Sequence, residues 1–174
     1  MKIEIGSNKR IDDTWKLVGA VEPSDYICIW GDDLLPFKDN TIDHIYASHV
    51  LEHIYWYKTD FALSEVFRVL KPKGIFEVHV PDFKIILKVY NTKKMIDGWR
   101  RYNEETNDYM KWVNGRLFAY NREGHGDFYS HKCCFDEEYL EKCLRIAGFK
   151  NIKHEAEVRG ADHGIVDLGM TCIK

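Results

Sequence analysis

The chain has 174 residues, of which 45% are hydrophobic and 30% charged, and its formal net charge is -3 at pH 7. This length fits one domain with a sizeable core and excludes two independent catalytic domains. The slightly acidic balance disfavours non-specific binding to a nucleic-acid backbone, which usually requires a basic face, and no apolar run reaches the roughly 20 residues that a membrane span needs.

The start of the chain and its thiols predict a cytoplasmic protein. Residues 1–6 have the pattern of a strand, whereas a signal peptide would carry a longer apolar stretch and a small-residue cleavage site. The five cysteines are an odd number in a chain without a secretion signal, so we expect reduced thiols. These features predict a single cytoplasmic domain over residues 1–174 without a membrane span, and they leave the oligomeric state open.

Short apolar runs between polar turns predict four early strands, over residues 3–5, 15–19, 26–30 and 42–47. The third run is almost entirely apolar, as expected for a strand covered on both faces. A helix follows, because apolar residues recur at helical spacing from Ala62 to Leu70, and Pro72 ends it. Residues 75–80 predict a fifth strand.

The end of the chain predicts one more helix and two strands. The helix opens at residues 136–138, whose negative charge suits the helix dipole, and stops at Gly148. Two closing strands are expected over residues 152–158 and 166–173, and their short connection allows an antiparallel hairpin. Alternating strands and helices predict an α/β fold with a doubly wound, mostly parallel sheet of about seven strands and an antiparallel C-terminal strand.

Residues 84–131 stand apart from this pattern, because they are rich in Tyr, Trp, Asn and charge. Helices are predicted around residues 85–90 and 95–113. Segments that follow the carboxyl ends of strands build the ligand crevice in open α/β sheets, so we expect this insertion to form a lid or substrate floor. The alternative is a surface excursion whose aromatic residues pack on the sheet.

Three motifs occur in order along the chain: the turn at residues 35–37, the strand that runs into residues 48–53, and the helix end at residues 68–74. In this order and spacing they resemble the class I S-adenosylmethionine-dependent methyltransferases, of the short methyltransferase type 11-like kind. The resemblance covers residues 1–83 and again 132–174. It implies a Rossmann-like sheet, truncated near the N-terminus, and S-adenosylmethionine as the cofactor.

The resemblance also implies that the cofactor lies at the carboxyl ends of the first four strands. A glycine turn there lets the backbone approach the ligand, and carboxylates accept hydrogen bonds from the ribose and the adenine amine. Asp32 is assigned to the adenine amine, and Ser48 and His49 to the methionine portion. The full set of expected cofactor residues is Glu4, Gly6, Ser7, Asn8, Glu22, Asp32, Asp33, Leu34, Ser48 and His49.

The second strand departs from the family pattern. An acidic residue normally ends this strand and binds the ribose hydroxyls, whereas Gly19 and Ala20 stand there in this chain. Glu22 is the nearest substitute. A lost hydrogen bond to a charged group costs about 1.5 to 3 kcal/mol, so this departure bears directly on cofactor affinity.

Methyl transfer from a sulfonium requires little covalent help from the protein, because the cofactor carries the reactive group. A general base is needed only when the acceptor atom carries a proton. Three residues at the expected crevice are candidates for that base, namely His53, Asp82 and His131.

No metal site is expected from the sequence. His49 and His53 are four residues apart and could face one side of a helical turn, but they lack the third ligand of known zinc helices. Cys133 and Cys134 are adjacent, without the two-residue gap of zinc knuckles, so we expect them to act as packing residues.

The sequence therefore predicts an enzyme that transfers a methyl group directly from S-adenosylmethionine to a small-molecule or glycan-type acceptor. Basic and aromatic residues of the insertion, such as Arg100 and Tyr102, suit a negatively charged small acceptor as well as they suit RNA. An RNA or protein methyltransferase is one alternative. A non-catalytic cofactor-binding or partner subunit is the other, and the departure at Gly19 and Ala20 makes it credible.

Overall fold

The apolar runs of the sequence form the strands of a mixed sheet. The computed structural model describes residues 1–7, 9–94, 108–119, 127–154, 156–159 and 164–174. The strands are β1 (Lys2–Ile5), β2 (Trp15–Gly19), β3 (Tyr26–Ile27), β4 (Ile42–Ser48), β5 (Leu70–Pro81), β6 (Lys150–Lys153) and β7 (Asp167–Ile173). Across the described residues they form a seven-stranded sheet in the order β3-β2-β1-β4-β5-β7-β6.

The pairing directions agree with the predicted sheet. Neighbours among β1 to β5 pair in parallel, whereas β7 lies antiparallel between β5 and β6. The described parts of the connections from β1 to β2 and from β2 to β3 contain no helix, as expected for a sheet truncated near its N-terminus. The predicted α/β, Rossmann-like fold with an antiparallel C-terminal strand is therefore confirmed.

The helices form two packing units. They are α1 (Thr59–Val69), α2 (Phe83–Thr92), α3 (Tyr109–Phe118) and α4 (Glu137–Ile146). α1 and α4 bury side chains such as Val66 and Leu144 in the main core against the strands. α2 and α3 form a second, smaller cluster around Val89 and Trp112. None of the described helices is long and apolar enough to cross a membrane.

Two strands are shorter than the sequence predicts. β3 stops before the end of the predicted residues 26–30, because the amides of residues 32 and 33 both donate to the carbonyl of Ile29 and close a turn there. β6 covers Lys150–Lys153 instead of residues 152–158, and its pairing with β7 is irregular around Asn151, whose φ is +50°.

Candidate active site

A cavity opens at the edge of the sheet where β1, β2 and β4 end. Ile5 of β1 lies opposite both Val18 of β2 and Ala47 of β4, so the loops after these strands meet at one edge. The cavity has a volume of about 840 Å³, within the roughly 300 to 1,000 Å³ of small-ligand pockets. The expected cofactor residues that line it are Glu4, Gly6, Ser7, Glu22, Asp32, Ser48 and His49.

Gly6 forms the turn after β1 at a place with no room for a side chain. Its φ is +83°, and a Cβ atom added there would lie 2.6 Å from Cγ2 of Val50. Its amide donates to the carbonyl of Val18 at 2.9 Å. The loop after β1 therefore contacts both the end of β2 and the loop after β4, and its backbone forms part of the cavity wall.

Glu4 brings a buried carboxyl group to the same wall. Its Oε2 accepts a hydrogen bond from the backbone amide of Ile11 at 3.2 Å. Burial raises the pKa of Glu4, and hydrogen bonds from Ser7 and from the Ile11 amide oppose burial only in part. The side chain thus ties the loop at Ser7 and Ile11 to β1 while it lines the cavity.

Asp32 reaches the cavity from the turn after β3, where its carboxylate pairs with Lys58. Its neighbour Asp33 instead closes the turn, since its carboxylate accepts from the amide of Ile29 at 2.9 Å. Leu34 is largely exposed, and neither it nor Asp33 lines the cavity. Cofactor contacts by the backbone of Asp33 and Leu34 therefore stay predictions.

The end of β2 lines the cavity with Gly19 and Ala20, where the family pattern places a carboxylate. Glu22, the substitute expected from the sequence, lines the same cavity and is exposed to solvent. A carboxylate is therefore present on this side, three positions beyond the end of the strand. Asn8, the remaining expected cofactor residue, lies outside the described residues.

His49 is held between two carboxylates. Its φ is +52°, its Nε2 lies 2.7 Å from Oδ1 of Asp167, and its Nδ1 lies 3.2 Å from Oε1 of Glu52. Burial alone would lower the pKa of His49, but the hydrogen bonds and charges of Asp167 and Glu52 outweigh burial and raise the pKa to about 9. His49 is therefore an imidazolium at neutral pH, fixed in orientation beside the cavity.

The three candidate bases occupy different positions. His53 lines the cavity, and its Nδ1 lies 3.3 Å from the carbonyl of Ser130. His131 lies behind His53, with ring centroids 4.8 Å apart, and burial lowers its pKa. Asp82 caps α2, where its side chain accepts from the amide of Lys84 at 2.8 Å, and it lies outside the cavity lining. Among these three residues, His53 alone is placed to contact a ligand directly.

Residues 127–133, which begin in the predicted insertion and extend two residues past its end, pack on the turn after β4. The amides of Lys132 and Cys133 both donate to the carbonyl of Glu52, at 2.7 and 3.2 Å. The Tyr55 hydroxyl donates to Asp127 at 3.1 Å. These bonds place the rings of two further residues of the segment at the cavity, where the lining includes Phe128 and Tyr129.

Several lining residues were not singled out from the sequence. They are Lys9, Arg10, Tyr55, Lys58, Phe128, Tyr129, Lys132 and Arg159, among others. Tyr55 and Lys58 directly continue the motif at residues 48–53, so extension of that motif by one turn would have found them. Arg159 and Asp167 carry no local signal, because only the pairing of β5 with β7 brings the end of the chain to this edge.

Comparison with known sequences identifies methyltransferase-like features. The family described as a methyltransferase domain matches residues 7–78. An uncharacterised protein from Methanocaldococcus jannaschii is 40% identical over 79 residues, which are 38% of this chain and 34% of that protein. The match thus spans about a third of the length of this curated relative.

Comparison with solved structures finds the same fold. A methyltransferase from Thermotoga maritima, described as a possible histamine N-methyltransferase, is 18% identical with a TM-score of 0.57, over 99% of this chain and 81% of that chain. The 1,6-didemethyltoxoflavin-N1-methyltransferase of Burkholderia thailandensis, solved with 1,6-didemethyltoxoflavin and S-adenosylhomocysteine, is 18% identical with a TM-score of 0.58, over 99% and 70%. The resemblance to class I S-adenosylmethionine-dependent methyltransferases is therefore confirmed in sequence profile and fold.

Proposed function

We propose that this chain binds S-adenosylmethionine in the cavity at the end of the sheet and transfers its methyl group to a small-molecule or glycan-type acceptor. The observation that carries the proposal is the convergence of the loops after β1, β3 and β4, through Gly6, Asp32 and His49, on a single cavity. The family match supports the activity, and the S-adenosylhomocysteine bound by the Burkholderia enzyme supports the cofactor.

The cofactor half of the cavity would be the part lined from β1, β2, β3 and the end of β4, where Ser48 and His49 lie. In this arrangement Gly6 lets the backbone approach the ligand, and the Asp32 carboxylate accepts from the adenine amine. Glu22 would accept from the ribose hydroxyls in place of the carboxylate that β2 lacks. Because Glu22 is exposed and not fixed in the strand, we expect cofactor affinity to be modest.

The acceptor half would be the mouth lined by Tyr55, Phe128, Tyr129 and Lys132. The Tyr55 ring stacks on Tyr57 with centroids 5.3 Å apart, and the Lys132 ammonium lies 5.2 Å from the centre of the Tyr55 ring. Exposed aromatic faces beside a cation suit a flat or sugar-like ring that carries negative charge. This composition is the reason to favour a small acceptor of that kind.

In the reaction, the protein aligns the acceptor atom with the methyl carbon and the sulfonium and excludes water from between them. A nitrogen or oxygen acceptor attacks the methyl carbon, the bond from carbon to sulfur breaks, and S-adenosylhomocysteine leaves. If the acceptor atom carries a proton, His53 is the residue at the cavity wall that can receive it.

Calorimetric titration with S-adenosylmethionine tests the cofactor site. Asp32→Ala should weaken binding by about 10- to 100-fold, because a hydrogen bond to a charged group contributes about 1.5 to 3 kcal/mol. Asp13→Ala is the matched control, since this exposed aspartate lies outside the cavity lining and should bind as the parent chain does. No binding by the parent chain at millimolar cofactor would refute the proposal.

Transfer of a labelled methyl group into separated pools tests the acceptor class. We expect label from S-adenosylmethionine to enter the small-molecule or glycan fraction of a cell extract, and Asp32→Ala to suppress that transfer. Label found only in RNA or only in protein would assign the acceptor to that macromolecule and refute the small-acceptor proposal.

A further inference from the structure

A carboxylate and two imidazoles meet at the wall of the cavity. Glu52 and His53 end the turn after β4, and the 127–133 segment brings His131 against them. One ligand atom from each of the three side chains lies within 4.8 Å of the other two. Nε2 of His131 lies 3.9 Å from Oε1 of Glu52. His53 is the member of this cluster that lines the cavity.

The hydrogen bonds of the two histidines leave the same nitrogen of each ring available. Nδ1 of His53 lies 3.3 Å from the carbonyl of Ser130, and Nδ1 of His131 lies 2.8 Å from the carbonyl of Arg116. A carbonyl can only accept, so each Nδ1 carries a proton, and in the neutral imidazole the Nε2 then has the lone pair that a metal ion needs. Metal-binding histidines are typically fixed in this manner, with one nitrogen donating to a carbonyl and the other binding the ion.

Glu52 supplies the negative charge of the cluster. Its side chain is 1% exposed, and Oε1 lies 3.2 Å from Nδ1 of His49. Oε2 is buried and has no hydrogen-bond partner among the described residues. A buried carboxylate oxygen without a partner is costly, and a cation beside it would remove that cost.

We propose that Glu52, His53 and His131 bind a divalent transition-metal ion at the wall of the cavity. Two imidazole nitrogens and one carboxylate oxygen are ligands that Zn²⁺ and neighbouring ions accept, and three protein ligands leave at least one position open. Ligand atoms about 2.0 to 2.2 Å from a tetrahedral ion lie roughly 3.4 Å apart. The three side chains therefore need to close by only about 1.5 Å at most, which small side-chain rotations supply.

The open position determines what the ion does, and this step depends on the proposed methyltransferase function. An acceptor hydroxyl that coordinates the ion loses its proton to solvent more readily. Its oxygen then attacks the methyl carbon, the carbon–sulfur bond breaks, and S-adenosylhomocysteine leaves. With the ion bound, the site would favour an acceptor with a hydroxyl group, and His53 would be a metal ligand instead of the proton acceptor.

Metal titration of the chelator-treated protein tests the site without the cofactor. We expect one Co²⁺ or Zn²⁺ per chain to bind in calorimetry, and the bound Co²⁺ to show visible absorption without the near-ultraviolet band of thiolate ligation. Glu52→Gln and His53→Ala should each weaken binding by on the order of a hundredfold or more, since loss of even an outer partner of a ligand costs about 10- to 100-fold. His154→Ala is the control, because this exposed histidine lies outside the cluster and should bind as the parent chain does.

Three outcomes would overturn the metal site: no stoichiometric binding by the parent chain, unchanged affinity in both Glu52→Gln and His53→Ala, or a thiolate band that assigns the ion to a cysteine such as Cys134. Circular dichroism of each variant, measured in parallel, shows whether it is folded. Binding of S-adenosylmethionine by the parent chain separates the failure of this inference from the failure of the proposed function, because the proposed cofactor contacts involve residues other than Glu52, His53 and His131.

Discussion

At the scale of single residues, Gly6 is required for two reasons, namely its positive φ and the closeness of Val50. We expect Gly6→Ala to lower the free energy of unfolding by about 1 to 3 kcal/mol and to weaken cofactor binding, since the added Cβ displaces the cavity wall. Chemical denaturation and cofactor titration measure the two effects.

Gly164 provides the matched control for Gly6. Its φ is +65°, but a Cβ atom there would meet nothing within 4 Å. Gly164→Ala should therefore show only the conformational cost, about 1 kcal/mol, and leave cofactor affinity unchanged. Equal losses of stability in the two variants would mean that contact with Val50 contributes nothing.

A second prediction at the scale of residues concerns Glu77, which lies outside the cavity lining. Its carboxylate contacts Nε2 of His44 at 2.8 Å and accepts from Arg159 at 3.0 and 3.1 Å. Burial would raise the pKa of Glu77, but these partners outweigh burial and lower the pKa to about 2, against an ordinary value of 4.5. The resulting stability is present above pH 4.5 and is lost as the pH falls toward 2.

The substitution Glu77→Gln tests this contribution of Glu77 to stability and to its pH dependence. It should remove on the order of 3 kcal/mol of stability at pH 7 and flatten the loss of stability between about pH 4.5 and 2. Denaturation at several pH values measures both. Glu141→Gln is the control, because its partner Arg145 is on an exposed helix face, where such pairs contribute about 0.5 kcal/mol. An acid profile that keeps its slope in Glu77→Gln would contradict the account.

At the scale of elements, the 127–133 segment and the turn after β4 form one wall of the cavity. Hydrogen bonds from two backbone amides of the segment to the carbonyl of Glu52, and from the Tyr55 hydroxyl to Asp127, join the two parts. α2 and α3 belong instead to their own cluster. The described residues of the predicted insertion thus divide into a part that packs in the cluster of α2 and α3 and a part that lines the cavity. Closure over a ligand stays a prediction.

Hydrogen exchange tests this division. Saturation with S-adenosylhomocysteine should slow amide exchange in the turn after β4 and in residues 127–133 by about tenfold, because a ligand that binds the closed wall opposes its local opening. Exchange in α2 and α3 should stay nearly unchanged. Equal protection of all of these elements, or none in residues 127–133, would show that the segment does not act as a wall of the site.

At the scale of the whole molecule, the fold could be predicted because local sequence patterns determine most of its strands and helices. Apolar runs and helical spacing identify the strands and α1, and the carboxyl ends of parallel strands locate Gly6, Asp32 and His49 at one edge. The length of β3 could not be predicted, because it depends on a turn that competes with the strand for the backbone of Ile29.

The rest of the site could not be predicted, because its contacts join distant parts of the chain. Glu52 and His131 are both visible in the sequence, but nothing local indicates that they meet. The expectation of no metal rested on the spacing of His49 and His53 and on the adjacency of Cys133 and Cys134. The structure places His53 beside His131 and His49 beside Asp167, and a metal site at His53 and His131 is our proposal. Pairings of this kind follow from the sheet order and not from spacing along the chain.

The hydrogen bond between His49 and Asp167 joins residues that are 118 positions apart in the sequence. Asp167 begins β7, the last of the described strands along the chain. On a ribosome, at about 5 to 20 residues per second, Gly6, Asp32 and His49 all emerge well before that partner does. A nascent chain would therefore already contain most of the proposed cofactor residues while the His49 imidazole still lacks its carboxylate partner. Ligand capture should thus wait until β7 has been synthesised and has paired with β5.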